Sequence, residues 1–129
     1  MTPEDLKRRT KAFAIKIIQF ARTLPSDTVA IVMVRQLVRS GMSVGANYRS
    51  SCRAKSDRDF ISKLTTAEEE ADESQYWLEV LVDSKIARAE AVAPLIDEAD
   101  QLVRIFVASI RTTRRRLLVR GRASAGREA

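Results

Sequence analysis

Apolar residues recur every three or four positions in four stretches of the chain, which is the spacing of one face of an α-helix. The first stretch starts at Thr2 and Pro3, residue types favoured at the cap and at the first helical position, and it ends before Pro25. Its stripe consists of Leu6, Phe13, Ile17, Phe20 and Leu24. Ile15 and Ile18 lie off this stripe, and such surplus apolar surface indicates contact with a partner.

The second stretch predicts a helix whose apolar face continues through two glycines. Its expected boundaries are Ser26 or Asp27 at the start and Cys52 or Arg53 at the end. Its apolar face consists of Ala30, Val34, Leu37, Gly41, Val44 and Tyr48. Each glycine costs about 1 kcal/mol of helix propensity relative to alanine. A helix that contains both Gly41 and Gly45 therefore indicates a narrow section, at which a neighbouring helix packs close to the backbone.

The third and fourth stretches complete a set of four helices. Ser56 is the expected cap of the third, and Asp59 forms a short-armed capping box with it. The heptad stripe of this helix is Phe60, Leu64, Ala67, Ala71, Ser74, Leu78 and Leu81. The fourth helix follows a connection at residues 85–90 and has Pro94 in its first turns. Its two adjacent stripes are Leu95, Ala99, Leu102, Phe106 and Ser109, and Ile96, Val103, Val107 and Ile110.

Four amphipathic helices joined by short links predict an all-α fold, an antiparallel up-down-up-down four-helix bundle. We place the bundle at residues 1–118. Because the composition then turns to arginine, glycine and serine, we expect the last helix to fray near Val119 and residues 119–129 to form a flexible basic tail.

Charge is segregated along the chain, whose net charge is +6. Residues 1–63 hold 13 Lys and Arg against 5 Asp and Glu, residues 64–110 hold 3 against 11, and residues 111–129 hold 7 against 1. We expect the basic first half and the acidic third helix to lie against each other, within a subunit or between subunits. The basic tail is either a solvated end or a phosphate-binding element whose affinity falls with salt.

The amino-acid composition argues against most kinds of catalytic and metal-binding site. The chain has no histidine and one cysteine, Cys52, which excludes the usual zinc sites, a cysteine–histidine nucleophile and an internal disulfide. The acidic run at 68–73 lacks the Glu-x-x-His pairs of a di-iron bundle. We therefore expect no enzyme and no cofactor, and we interpret Cys52 as a small buried thiol. Without a secretion signal or an apolar run of roughly 18 residues, the sequence predicts a cytoplasmic protein with no membrane contact.

Three groups of motifs resemble a known protein family. They are Ser43-Val44-Gly45-Ala46-Asn47-Tyr48-Arg49, then Ala54-Lys55-Ser56 with Asp59-Phe60-Ile61 and Lys63-Leu64, then Glu70-Ala71-Asp72-Glu73-Ser74 with Tyr76-Trp77-Leu78. They resemble the four-helix-bundle proteins first noticed as reading frames inside intervening sequences of 23S rRNA genes, over nearly the whole chain up to about Arg116. This resemblance implies a bundle that assembles into a homo-oligomeric ring of five. The chain is also similar to the accessory protein of diversity-generating retroelements, which binds nucleic acid and a reverse transcriptase.

Two function classes follow. The leading one is a non-enzymatic oligomeric module that binds RNA or DNA through phosphates. The expected phosphate contacts are Lys7, Arg8, Arg9, Lys11, Arg111, Arg114, Arg115, Arg116, Arg120 and Arg122. The expected helix-packing or interface residues are Gly41, Gly45, Asn47, Tyr48, Tyr76 and Trp77. The alternative is a structural adaptor ring that binds a protein partner and has no direct nucleic-acid role.

Overall fold

The computed structural model describes residues 1–128, and every regular element in this range is a helix. The elements are α1 (Pro3–Ala21), α2 (Thr28–Ser51), α3 (Asp57–Asp83) and α4 (Ala89–Glu128). Helices that follow each other in the chain pack side by side, and α4 closes more loosely against α1. Because the connections at 22–27, 52–56 and 84–88 are short, neighbouring helices run antiparallel. The predicted all-helical fold with four helices is confirmed.

Polar caps define the starts of the first two helices. Thr2 Oγ1 accepts a hydrogen bond from the backbone N–H of Asp5, and the Asp5 carboxylate accepts one from the N–H of Thr2, which makes a full capping box. Asp27 caps α2 by accepting from two backbone N–H groups of its first turn. Of the two caps that the sequence offered for α2, the structure selects Asp27.

Asp59 fixes the turn that precedes α3. Ser56 Oγ accepts from the N–H of Asp59 at 3.1 Å, as the capping pattern predicts. The Asp59 carboxylate reaches one residue further back than in a standard capping box and accepts from the N–H of Lys55 at 3.1 Å and from Lys63 Nζ at 3.0 Å. The hydrogen bond from the Lys55 backbone and then the one from Lys63 hold the pKa of Asp59 below its ordinary value.

Most positions of the predicted stripes lie in the core or against it, whereas Val34, Val107 and Ser109 are only half-buried. The largest fully buried apolar side chains are Phe13, Phe106, Ile17, Leu37, Leu64, Leu78, Leu81, Leu102, Val44 and Val92. Thr10 fills the gap in the α1 stripe, and its buried hydroxyl donates to the carbonyl of Leu6 at 2.8 Å. Between α2 and α3, Ser74 Oγ donates to Ser40 Oγ at 2.9 Å. Among the residues described, every buried side-chain N or O atom has a hydrogen-bond partner, as a native interior requires.

Helices α1 and α2 approach each other closely at two glycines. A Cβ atom on Gly41 would stand 2.9 Å from Cγ2 of Ile17, and one on Gly45 would stand 3.2 Å from Oγ1 of Thr10. Ile17 is fully buried, so its side chain has little room to move away. The two glycines therefore lie at the α1–α2 contact and set its spacing.

Helix α4 differs from the sequence prediction at its end. It continues to Glu128, so the fray expected near Val119 is wrong, and the flexibility expected of residues 119–129 stays a prediction. The helix is buried as far as Thr113 and then leaves the bundle, since residues 118–126 are all exposed. Arg116 and Arg120 bind Asp57 in the first turn of α3, and these ion pairs support the helix across the expected break. Ala129 lies outside the described residues.

Helix α2, with 24 residues, is long and apolar enough to cross a membrane, judged by length and composition only. This differs from the prediction that the chain has no apolar run of that length. One such helix is weak evidence for a membrane span, because the core helix of a bundle passes the same test. In this structure α2 packs along both α1 and α3.

We predict that Gly41→Ala lowers the free energy of unfolding by about 1 kcal/mol. Overpacking against Ile17 costs about 1–3 kcal/mol, which exceeds the gain of about 1 kcal/mol in helix propensity. Gly121→Ala is the matched control, because a Cβ atom there meets nothing within 4 Å. Urea denaturation of both variants measures the difference. A Gly41→Ala variant that gains as much stability as Gly121→Ala would contradict the close contact.

We predict that Asp59→Asn is less stable than the wild type at neutral pH and that the difference shrinks in acid. Because the folded state lowers the pKa of Asp59, ionised Asp59 stabilises the fold above the ordinary value of 3.8. That contribution is lost as the pH falls from this value through the lowered pKa. Denaturant titrations of both proteins at several pH values measure the difference, and one that stays constant into strong acid would contradict this role.

Candidate nucleic-acid interface

Antiparallel packing gathers cationic side chains from all four helices at one end of the bundle. At this basic end α1 begins, α2 ends, α3 begins and α4 leaves the bundle. An open cleft of about 1190 Å³ lies here. The charged side chains that line it are Glu4, Lys7, Lys55, Asp57, Arg58, Arg116 and Arg120. Five of these seven are cations, although they come from distant parts of the sequence.

A basic groove of about 500 Å³ adjoins the cleft, between α1 and α2. Its cations are Lys7, Arg8 and Lys11 from α1, with Arg49 and Arg53 from the end of α2 and the connection after it. Glu4 is the one acid in its lining. Thr10, Ala14 and Gly45 lie at its base, where the two helices come close. The small residues at this contact thus let two rows of cations face the same groove.

Arg49 and Arg53 belong to this groove, although neither is among the predicted phosphate contacts. Their spacing of four was visible and indicates one helical face. That they stand opposite Lys7 and Lys11 follows only from the packing of α1 against α2.

Three of the predicted α1 contacts line the basic groove. Lys7 pairs with Glu4 at 3.2 Å, and Arg8 pairs with Asp5 one turn away. Pairs of this kind on an exposed helix are weak and exchange readily with solvent. Lys11 is exposed and has no ion pair within the described part of the chain, so it is available to an anion.

Arg9 lies elsewhere. Its guanidinium donates to the two carboxylate oxygens of Glu98 on α4 at 2.8 and 2.7 Å and to Oε1 of Gln101 at 2.6 Å. Its side chain is only 24% exposed, and the hydrogen bonds to Glu98 raise its pKa. Arg9 therefore ties α1 to α4, in a bidentate pair that arginine forms well, instead of lining the basic groove.

The arginines of α4 divide between two faces of the helix. Arg116 and Arg120, one turn apart, pair with Asp57 at 3.2 and 2.6 Å. Their exposed counterparts, which have no ion pair among the residues described, are Arg111, Arg114, Arg115 and Arg122. Spacings of four and seven place Arg111, Arg115 and Arg122 on one face, roughly opposite the pair held by Asp57. This second face is free to bind an anion.

Asn47 and Tyr48, two of the predicted packing residues of α2, have separate environments. Tyr48 is buried and stacks on Phe106 of α4, with ring centroids 5.7 Å apart and planes 17° from parallel. Burial raises the pKa of its hydroxyl. Asn47 is half-buried, and its side-chain amide donates to the carbonyl of Ser43 at 2.8 Å. The Asn47 amide thus has a partner within its own helix.

Trp77 and Tyr76 also differ in burial. The Trp77 ring packs against the core, and its Nε1 donates to the carboxylate of Glu73 at 3.3 Å. Tyr76 meets the Trp77 ring edge to face at 5.1 Å but is 56% exposed. Its exposed ring is available to a partner protein.

Cys52 is exposed, so its interpretation as a buried thiol is wrong. It is the C-cap of α2, one residue past the buried Ser51, and lies in the lining of the open cleft. In the described part of the chain, no group of three or more His, Cys, Asp or Glu side chains is placed to hold a metal ion.

The acidic third helix does contact the basic first half of the chain. Arg39 of α2 pairs with Glu70 at 3.1 Å and with Glu73. The interpretation that these segments lie against each other within a subunit is confirmed at this contact.

A protein-family model and a solved structure match the chain. The family model described as 23S rRNA-intervening sequence protein matches residues 4–108. A crystal structure of a protein of unknown function from the S23 ribosomal protein family of Bacteroides thetaiotaomicron is similar, with a TM-score of 0.79 and 32% identity over 86% of this chain and 99% of that one. No curated protein matches the chain significantly. The arginines at 111–122 follow the residues that the family model matches.

We predict a coupling energy of about 1 kcal/mol between Arg9 and Glu98, because the pair is bidentate and only about a quarter exposed. A double-mutant cycle with Arg9→Ala and Glu98→Ala measures it in urea. Arg8 and Asp5 are the control pair, for which exposure predicts about 0.3 kcal/mol. Equal coupling energies in the two cycles would contradict the tie between α1 and α4.

Proposed function

Since the chain belongs to the 23S rRNA-intervening sequence protein family, we propose that it is a non-enzymatic oligomeric bundle that binds RNA or DNA through phosphates at its basic end. The similar crystal structure from Bacteroides thetaiotaomicron is that of a protein of unknown function. The proposal therefore depends on the surface chemistry of this chain.

The observation that supports it best is the convergence of unpaired cations at one end. Lys11, Arg49 and Arg53 face one groove without an ion pair among the described residues, and the exposed arginines of α4 leave the bundle from the same end. A polyanion offers phosphates at regular intervals, and each cation that contacts one releases condensed counterions. Such clustering costs self-repulsion in the free protein, and a phosphate backbone relieves it.

The lining of the basic groove also indicates how the nucleic acid is bound. It contains no aromatic ring on which a base could stack. Lysine and arginine contacts to phosphates position a nucleic acid without selecting its sequence. We therefore propose sequence-independent binding with a strong dependence on salt.

We further propose that copies of the chain assemble into a ring, a homopentamer as the family resemblance implies, in the cytoplasm. Exposed apolar side chains support self-contact, among them Ile15 and Met42, which are 46% and 49% exposed. A ring with all basic ends on one side displays several α4 arginine faces together. Linked sites of this kind turn weak phosphate contacts into measurable affinity. The similarity to the accessory protein of diversity-generating retroelements stays a prediction.

A second candidate function is an adaptor ring that binds a protein partner. The exposed ring of Tyr76 favours it, because an aromatic side chain held in place by a neighbour is a frequent anchor of protein interfaces. In this case the cations at the basic end serve solubility.

We predict that the salt dependence of nucleic-acid binding resides at the basic end. Fluorescence anisotropy with a random-sequence duplex and a random-sequence single strand gives log K against log salt for each variant. Two triple variants remove three cations each, Lys11→Gln/Arg49→Gln/Arg53→Gln and Arg111→Gln/Arg115→Gln/Arg122→Gln. Each is expected to reduce the magnitude of the slope of log K against log salt on duplex DNA by about 2 to 3, because each phosphate contact contributes about 0.9 to it.

The control variant Lys16→Gln/Arg88→Gln/Arg104→Gln removes the same charge away from the basic end and is expected to keep the wild-type slope. Equal losses in all three variants would show that net charge alone governs binding. Negligible binding by the wild type at low salt would contradict the nucleic-acid function and favour the adaptor.

A further inference from the structure

We infer that an acidic groove between α3 and α4 of one copy binds an apolar, arginine-flanked face of α1 and α2 on a second copy. This inference rests on the proposed self-assembly and names the surfaces that meet. Each surface has its own pattern of charge and exposure, and the two are complementary.

The acidic groove lies between the last turns of α3 and the first half of α4. Its lining includes Glu79, Asp83, Asp97 and Asp100, with Val82 and Ile96, and no lysine or arginine. Val82 and Ile96 are half-buried and give the groove an apolar base. Asp97 accepts from Gln101, and Asp100 pairs with the exposed Arg104 at 3.0 Å, both within one turn of α4. Glu79 and Asp83 have no ion pair in the described part of the chain.

The complementary surface, which we name the apolar seam, continues the basic groove along α1 and α2. On α1 it consists of Ile15 and Ile18, and on α2 of Ile31, Val38 and Met42. Spacings of three, four and seven place these residues on the helical faces that bear Lys11 and Arg49. Ile15, Ile31 and Met42 are 46%, 37% and 49% exposed, far more than a core position.

Two arginines flank the apolar seam. Arg22 follows Ile18 by four residues, and Arg35 follows Ile31 by four, so each extends the same helical face. Both are exposed and have no ion pair among the residues described. Isoleucine beside unpaired arginine matches a groove in which valine and isoleucine lie beside unpaired carboxylates.

The two surfaces also lie at the same level of the bundle. At the far end, opposite the basic end, α1 and α3 end and α2 and α4 begin. The acidic groove and all of the apolar seam except Met42 occupy this half, the seam on the α1–α2 side and the groove on the α3–α4 side, while Met42 lies where the seam meets the basic groove. A copy therefore offers one surface to each of two neighbours. Different surfaces that meet in this way build a ring when the rotation closes.

This arrangement separates assembly from phosphate binding. Neighbouring copies occupy the far half of every bundle, while the cations of the basic groove and the α4 arginines stay open at the other end. In a closed ring, rotational symmetry then directs every basic end to the same side.

The test is a charge exchange across the interface in the full-length chain. The seam variant Arg22→Glu/Arg35→Glu and the groove variant Glu79→Lys/Asp97→Lys each place like charges opposite one another. Light scattering over a range of protein concentrations measures assembly. Each variant is expected to dissociate at concentrations about tenfold or more above the wild type. An equimolar mixture of the two is expected to assemble at concentrations at which each variant alone dissociates, because the exchanged charges attract at every contact between unlike copies. A ring of five built from two variants keeps at least one contact between like copies, so the mixture is expected to assemble more weakly than the wild type.

The control variant Lys16→Glu/Arg88→Glu alters charge outside both surfaces and is expected to assemble like the wild type. All the altered side chains are exposed, so each variant is expected to fold, and circular dichroism checks this. If the wild type forms an oligomer and neither variant changes its mass, the proposed interface is wrong, but the proposed self-assembly is not contradicted. A monomeric wild type overturns both, and the salt titration of nucleic-acid binding remains an independent test of the basic end.

Discussion

The contact between α1 and α2 at Gly41 and Gly45 is the constraint on which the rest of the structure depends. Without Cβ atoms at these positions, Ile17 and Thr10 of α1 lie directly against the backbone of α2. The close approach forms the base of the basic groove and brings the cations of α1 opposite those at the end of α2. A wider spacing would separate these two rows of charge, so the position of the groove follows from the size of two residues.

Antiparallel packing converts charge segregation along the chain into polarity of the folded molecule. The basic end combines the start of α1, the end of α2 and the exit of α4, whereas the acidic groove lies in the other half between α3 and α4. Two sets of ion pairs stabilise this arrangement, Arg9 with Glu98 and the α4 arginines with Asp57. The unpaired cations of the basic end are those that we assign to phosphates, and the acids of the groove between α3 and α4 are those that we assign to a neighbouring copy.

Most of the fold follows from local patterns, whereas the site depends on packing between helices. The apolar stripes, the caps at Thr2 and Ser56 and the glycine pair are local signals, and the structure agrees with them. The predicted end of α4 is wrong because composition alone does not reveal that Asp57 pairs with Arg116 and Arg120. Two further features likewise depend on which helices are neighbours. Arg9 of α1 contacts Glu98 of α4, and Arg49 lines the basic groove.

The most direct test of the account is amide hydrogen–deuterium exchange of the full-length chain, with and without a saturating random-sequence RNA at low salt. The account predicts slower exchange in three segments of the basic end, residues 1–11, 49–58 and 111–122, and unchanged exchange in the acidic groove at 75–83 and 89–100. Protection of the acidic groove by RNA, with no protection of the basic end, would contradict it.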